Sequence, residues 1–558
     1  MKIFFFIFIS SLLAANLFSK DGDTVIIQTF TFKDITKRHG VFQFPDVNTQ
    51  WQKILMVRTL KCDVQTTHDQ YPCGEWDYLT YTLVYVQKGK GDTTKEIYEL
   101  ENFITPYGKR LSLNGDKGWS FIYDVSDYAP LLKGNVEISS GNQQELLDMK
   151  FYFIEGTPPR DVIGIENIYP WGKYNYGDLA DNKILLQKNI ILRPDAKGYK
   201  LKTRVSGHGQ VGSYNCCEWD MKLQKYTWGD TLGREVLGYW IPWKDCGRNP
   251  IFPQGGTWPF DRAGWCPGSP VQTFEFDISD KFNPGDTITN FDYEIQPYTD
   301  NGEKAGEFNM SHQIIYYGTP NFTNDACVED VIAPNAYDGY SRDNPICGSP
   351  RVIIKNTGKN LLQSLDIEYG LKHGKKSKFK WNGQLKFLEM QELYLPRPSW
   401  KGIEKDPEFT VTISEPNNLP DEYEGNNSIT SRVSLPRIMP DKFKIHIETN
   451  DLGRAKEDSY TITDGSGKII FSRGAFKDNV TYEDSLSLSD GCYTFLLTDK
   501  REDGMIKQWW YAYYNKPELV GKNGKIVFMT LYNKVLQELP YDFGQELRFC
   551  FRVGIIKQ

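Results

Sequence analysis

The chain has 558 residues and a formal net charge of -7, set by 65 basic and 72 acidic side chains. That length corresponds to about four domains of ordinary size, each large enough to bury its own core. With no basic stripe and no block of like charge, nucleic acid is excluded as a partner; an aromatic content of 14% with 48 glycines and 29 prolines favours β-sandwiches over helical bundles.

The first element is an export signal. Lys2 precedes an apolar run over residues 3–13 that is too short to span a bilayer, and Ala14, Ala15 and Ser19 offer small residues for cleavage, so residues 1–19 are expected to be a signal peptide. No cysteine follows that run directly and no later stretch is apolar for long enough to cross a membrane, which predicts a secreted or periplasmic protein without an anchor. Residues 20–158 alternate apolar and polar side chains in short runs such as 78–86 (YLTYTLVYV) and 150–154, separated by Gly, Pro and Asp, the pattern of an antiparallel β domain. A break at 156–159 (GTPP) ends it. A second β-rich stretch, 159–320, closes on another GTP at 318–320, and this recurrence after an apolar strand predicts an internal duplication with a period of about 160 residues.

Within that second stretch, residues 207–212 (GHGQVG) satisfy G-x-G-x-x-G after a plausible strand at 199–205. The next residues are Ser213, Tyr214, Asn215 and a double cysteine in place of a helix, so these glycines predict a tight turn and not a dinucleotide loop. Residues 321–440 carry strand-like runs at 351–355, 365–369 and 409–413 and then EGNN at 424–427, which fits an immunoglobulin-like sandwich. Residues 441–558 predict a further β-sandwich whose 499–504 segment (DKREDG) lacks the ligand pattern of a calcium loop and is expected to form a tight turn.

The ten cysteines fall as local pairs, with Cys62–Cys73, Cys246–Cys266, Cys327–Cys347 and Cys492–Cys550 expected, although spacing does not fix connectivity. Cys216 and Cys217 are left adjacent, as free thiols or as a vicinal bridge. No CxxC pair occurs, and none of the six histidines is spaced as H-x-H or HExxH, so disulfides account for these cysteines better than zinc.

The chemistry concentrates in a phrase written twice, 73–77 (CGEWD) and 216–220 (CCEWD). Each copy sets two carboxylates beside an indole. An indole face stacks on the apolar face of a sugar ring, while carboxylates accept its hydroxyls or move protons, and two distant copies suggest two similar domains giving acids to one shared site.

The segments TFKDITKRHGVFQFP, CGEWD, NFITPYGK, FIEGTPPRD, SGHGQ, CCEWD and DRAGWCPG resemble, in the same order, stretches of the peptide:N-glycosidase F family over about residues 27–317. The resemblance implies two eight-stranded antiparallel jelly rolls side by side with the active site between them, hence an all-β chain. It also implies hydrolysis of the amide between asparagine and the innermost N-acetylglucosamine of N-linked glycans, on glycosylated peptides or glycoproteins, by a monomer that needs no metal or cofactor. Carried over residue by residue, the family's principal aspartate is Asp77 and its partner glutamate is Glu218, while Trp76, Trp219, Arg262 and Trp265 are expected around the glycan. Cys246–Cys266 and Cys62–Cys73 match family disulfides. An alternative role for Arg262 is a structural pair with Asp261.

Three departures accompany these matches. Tyr78 stands where the family enzyme has an arginine after its aspartate, and it is expected to contact substrate. Asp220 replaces a cysteine and removes a partner for Cys216. A third family carboxylate has no clean counterpart, with Gln143 or Glu145 as the nearest candidates. Two rival classes remain: a non-catalytic glycan-binding protein, which would not need both acids, and a jelly-roll copper monooxygenase, which would need clustered histidines in both halves, where this chain offers only His39, His68, His208 and His312.

Overall fold

The computed structural model describes residues 24–34, 37–46, 49–66, 70–89, 91–141, 144–209, 216–230, 232–297 and 306–554. The segment read as a signal peptide, Gln143 and His68 lie outside the described residues.

The chain is all-β, as its alternating pattern requires. Its first eight strands are β1 (Thr24–Gln28), β2 (His39–Gln43), β3 (Trp51–Lys61), β4 (Leu79–Gln87), β5 (Lys95–Ile104), β6 (Trp119–Asp124), β7 (Asn135–Ser140) and β8 (Leu146–Glu155). They form one sheet in the order β1-β8-β3-β6 and a second in which β5, β4, β7 and β2 are neighbours, the strand order of a jelly roll. Alternation places Met56, Arg58 and Leu60 of β3 inward. A charge at Arg58 is tolerated there because its guanidinium pairs with buried Glu101 and also reaches the hydroxyls of Thr80, Thr82 and Ser140.

The next strands are β9 (Arg160–Asn175), β10 (Lys188–Ile191), β11 (Gly198–His208), β12 (Gln224–Asp230), β13 (Gly233–Trp240), β14 (Ser269–Pro270), β15 (Thr273–Asp277), β16 (Thr287–Ile295) and β17 (Glu307–Pro320). Apart from the short β14, they repeat the same order, with sheets β15-β11-β17-β9 and β10-β16-β12-β13. In each half the GTP triplet ends or follows the eighth strand, so the duplication visible in three letters is a duplication of topology.

The two halves are joined through polar and backbone contacts. β14 leaves its own half and pairs with β5, placing Ser269 opposite Ile104 and Pro270 opposite Phe103. Arg204 of β11 donates to the Glu99 carbonyl and to the Tyr128 hydroxyl, and Asn167 of β9 donates to the Ile97 carbonyl. β5 is therefore buried over most of its length.

Beyond Asn321 two further apolar clusters form, one around Val352, Ile367, Trp400 and Val411, and one around Phe443, Ile462, Phe495 and Phe528. Cysteine pairing here differs from expectation. Cys347 bridges Cys492, tying these two regions together, while Cys327 and Cys550 are buried free thiols. Cys492 and Cys550 do lie on paired strands, but the register sets Cys492 opposite Arg552 and Cys550 opposite Thr494, so the two sulfurs are not facing. Cys327 instead lies opposite Lys355. Cys62–Cys73 and Cys246–Cys266 are bridged, and Cys216 bridges its neighbour Cys217.

Candidate active site

The first CGEWD phrase is an irregular loop between the Cys62–Cys73 bridge and β4, and its shape is set by side chains from outside it. The Gln144 amide oxygen accepts from the Glu75 and Trp76 backbone N–H groups at 2.8 and 2.9 Å, and its nitrogen donates to the Trp76 carbonyl at 2.5 Å. Thr105 completes the brace: its hydroxyl donates to that same carbonyl and accepts from the Tyr78 N–H, both at 2.7 Å. With the backbone on both sides of Asp77 held, the indole of Trp76 and the phenol of Tyr78 remain about half exposed, at 53% and 49%. The loop also needs a near contact that only glycine permits, because a Cβ on Gly108 would sit 2.1 Å from the Cys73 carbonyl oxygen.

Asp77 is partly buried, and its Oδ2 accepts a 2.7 Å hydrogen bond from the Tyr107 hydroxyl. Tyr107 is held in turn by the second half, since its backbone N–H donates to Gln254 Oε1 at 2.9 Å. Burial pushes the Asp77 carboxyl above the usual carboxylate range, while Arg262 and the Tyr107 hydroxyl pull it back down.

The second phrase is built against the end of β11 and the DRAGW segment. The Cys217 and Glu218 N–H groups both donate to the Gly209 carbonyl, and the Glu218 carbonyl accepts from the Ala263 N–H at 2.9 Å. Its side chain meets Arg262, whose Nε donates to Glu218 Oε1 at 3.1 Å. Three further guanidinium donors are occupied: one on Nη1 by the Phe260 carbonyl at 2.7 Å, and those on Nη2 by the Thr257 carbonyl and hydroxyl at 3.0 and 2.9 Å. The cation lies 4.3 Å from the Trp219 ring and 4.9 Å from that of Trp265. Asp261 does not pair with it; its Oδ1 accepts from the Cys246 N–H. One buried cation therefore acts on an acid from each half, by contact on Glu218 and through the field on Asp77.

Three of the residues expected around the substrate are buried. Arg262 has a fully buried side chain, and four of its five N–H donors are spent on Glu218, Phe260 and Thr257, an arrangement that positions Glu218. Trp265 is 2% exposed, with its indole N–H on the Gly207 carbonyl and its face on His208, which makes it packing beneath Arg262. Glu145 is 1% exposed, its carbonyl near Arg38, and the adjacent Gln144 is the residue that reaches the first phrase. Burial among cationic neighbours also pushes His208 down to about 3, so its imidazole is neutral. Asp220, the other acid of the second phrase, is turned to Lys222, with which it forms an ion pair at 2.7 Å.

Tyr107, Gln144, Thr105, Gln254 and Thr257 were missed by sequence reasoning. Thr105 and Tyr107 lie inside one of the matching segments, NFITPYGK, whereas Gln144, Gln254 and Thr257 lie in none of them and leave no local signal. The regions beyond Asn321 also proved to be structural parts of this wall. Trp258 donates to Asp542 at 2.7 Å, Arg110 pairs with Asp542 at 2.9 Å, and Phe260 meets Trp510 edge-on at 5.5 Å. Arg342 donates to the carbonyls of Gly247, Asn249, Phe543 and Glu546, stitching the arginine-bearing loop to the C-terminal region.

The chain is similar to known proteins over this region. Residues 175–315 match the family described as peptide-N-glycosidase F, C terminal. A peptide-N(4)-(N-acetyl-beta-D-glucosaminyl)asparagine amidase F from Elizabethkingia miricola is 32% identical over 327 residues, covering 53% of this chain and 84% of that protein. A solved glycosylasparaginase structure, PNGase F from Flavobacterium meningosepticum, is 29% identical and matches 53% of this chain and 96% of its own, with a TM-score of 0.41. Among the described residues no helix is long and apolar enough to cross a membrane.

Proposed function

The chain belongs to the peptide-N-glycosidase F family, and from that premise we infer that it is an amidase that hydrolyses the bond between asparagine and the innermost N-acetylglucosamine of N-linked glycans. The observation that carries the reading is the single buried Arg262, which binds Glu218 from the second jelly roll and acts on Asp77 from the first.

The reaction adds water across an amide. The water oxygen bonds to the side-chain carbonyl carbon, the C–N bond breaks, and the nitrogen leaves with a proton as a glycosylamine, which later loses ammonia. Aspartate remains in the peptide. Amides are unreactive because the nitrogen is a poor leaving group, so the site must orient a water and supply a proton to nitrogen.

Two carboxylates divide these tasks when their surroundings separate their proton affinities. Glu218 bonds directly to a guanidinium, and such contact favours a carboxylate that holds and orients water and the sugar. Burial raises the proton affinity of Asp77, which suits exchange of a proton at the reacting linkage. The exposed faces of Trp76 and Tyr78 and the partly exposed Trp219 supply stacking surface for the sugar. The substrate class fits an enzyme acting outside the cytoplasm on glycopeptides or glycoproteins.

Asp77→Asn and Glu218→Gln test the assignment directly. Each is expected to lower kcat/KM on an N-glycopeptide by at least about 100-fold, or about 2.7 kcal/mol of transition-state stabilisation. Full activity in either variant would remove that acid from the mechanism, while leaving the amidase reading open to its own test.

A further inference from the structure

Six consecutive residues of the C-terminal region, 509–514 (WWYAYY), hold five aromatic side chains. One helical turn (Trp510–Tyr513) carries the middle of the segment. Trp509, Tyr513 and Tyr514 are 46%, 83% and 65% exposed, and Trp510 and Tyr511 are partly exposed. Single exposed aromatics are ordinary on a protein surface, but a contiguous group of this size marks a binding surface.

The rings stand on a tied backbone. Before the turn, the Gln508 N–H donates to the Val520 carbonyl at 2.9 Å and its side-chain amide donates to Asp503 at 3.1 Å. After it, the Lys516 N–H donates to the Tyr511 carbonyl at 2.8 Å. Neighbouring rings brace each other edge-on, with centroids 6.0 Å apart for Trp509 and Trp510 and 6.1 Å for Tyr513 and Tyr514. A ligand that docks here meets contacts already ordered, which lowers the entropy lost on binding. The group is also continuous with the wall of the acid site. Trp510 meets the partly exposed Phe260 edge-on at 5.5 Å, the Phe260 carbonyl accepts from Arg262 Nη1 at 2.7 Å, and the Arg262 cation lies 4.3 Å from the partly exposed Trp219 ring.

We propose that the 509–514 surface is a subsite for the outer sugars of the N-glycan, the part that extends away from the innermost N-acetylglucosamine. The inference rests on the amidase reading, which sets that first sugar at Asp77 and Glu218 and leaves the rest of the oligosaccharide to run out along the wall. Indole and phenol rings suit this occupant. Each joins a flat apolar face, which stacks on the C–H face of a pyranose, to an N–H or O–H at its rim that bonds sugar hydroxyls. A membrane-docking surface adds aliphatic side chains that enter the hydrocarbon, whereas within 509–516 the only aliphatic residue is Ala512.

The test uses the full chain and two substrates: one peptide carrying a complete branched N-glycan, and the same peptide with the glycan trimmed to its two innermost N-acetylglucosamines. The double variant Trp509→Ala, Tyr513→Ala is expected to lower the ratio of kcat/KM on the complete substrate to kcat/KM on the trimmed one by about tenfold, the scale of losing aromatic anchors from a binding surface. A merely structural effect lowers both values together and leaves the ratio in place. Tyr394→Ala removes a ring that is 69% exposed on a strand of another region (Met390–Tyr394) and is expected to leave the ratio as it is. If the double variant fails to fold, Tyr513→Ala alone is expected to move the ratio in the same direction. Independently of cleavage, the released glycan is titrated into parent and variant by calorimetry, with affinity expected to fall about tenfold in the variant. Equal glycan affinity together with an unchanged ratio would overturn the proposal; so would loss of sedimentation with anionic lipid vesicles in the variant while the ratio stays unchanged. Glycan binding that is lost in the variant, from a parent that cleaves neither substrate, would remove the amidase reading and keep the subsite.

Discussion

Removing one oxygen, by Tyr107→Phe, isolates the electrostatic part of the site. The Tyr107 hydroxyl donates to Asp77 Oδ2 at 2.7 Å, and the ring itself is placed by a backbone bond to Gln254 that the substitution retains. The hydroxyl stabilises the ionised carboxylate and so pulls its pKa down, against the upward effect of burial. Deleting it must therefore move the Asp77 pKa further up. A hydrogen bond to a charged group is worth roughly 1.5–3 kcal/mol, and a pKa unit about 1.4 kcal/mol, which gives about 1–2 units; partial replacement by water in a half-open site brings the expectation to about 1 unit. The assay is kcat/KM against pH on a defined N-glycopeptide, where the limb governed by Asp77 in the free enzyme is expected to shift to higher pH by that amount. The unfolding midpoint is expected to move by no more than about 3 °C, since only a partly exposed contact is lost. A limb that stays in place or moves to lower pH would refute the reasoning, because Asp77 would then not be the titrating group or Tyr107 would not act on it.

Two further substitutions probe how the site is held. Arg262→Lys keeps a positive charge but not the planar fork, leaving the buried acceptors on Phe260 and Thr257 without donors; stability is expected to fall by about 2–4 kcal/mol and kcat/KM by at least about 100-fold, and thermal unfolding with a normal rate would contradict this. Deletion of residues 441–558 strips Asp542 from Trp258 and Trp510 from Phe260 and breaks the Cys347–Cys492 bridge. It is expected to lower kcat/KM at least about tenfold, or about 1.4 kcal/mol, whereas full activity in the truncated chain would show that the C-terminal region only adjoins the wall.

Much of the fold was legible because strand alternation and turn residues are local signals. The duplicated GTP triplets marked the ends of two eighth strands, and the two EWD phrases marked the two acid-bearing loops. Exposure was not legible. The DRAGW segment identifies an arginine and a tryptophan, but only packing reveals that both are buried and that the arginine holds Glu218. Connectivity was equally hidden: Cys492 is near Cys550 on a paired strand, yet a two-residue offset in register directs it to Cys347, 145 residues earlier. Gln144 was missed because its role depends on the turn before β8 folding onto the first phrase, which no spacing encodes.

The central claim concerns which bond breaks. The purified protein is incubated with an N-glycopeptide in heavy-oxygen water and the peptide product is weighed and sequenced. The account predicts that the glycosylated asparagine is recovered as aspartate carrying one heavy oxygen. Recovery of asparagine, either bare or still bearing one N-acetylglucosamine, would contradict it, because the chain would then cleave a glycosidic bond instead of the side-chain amide.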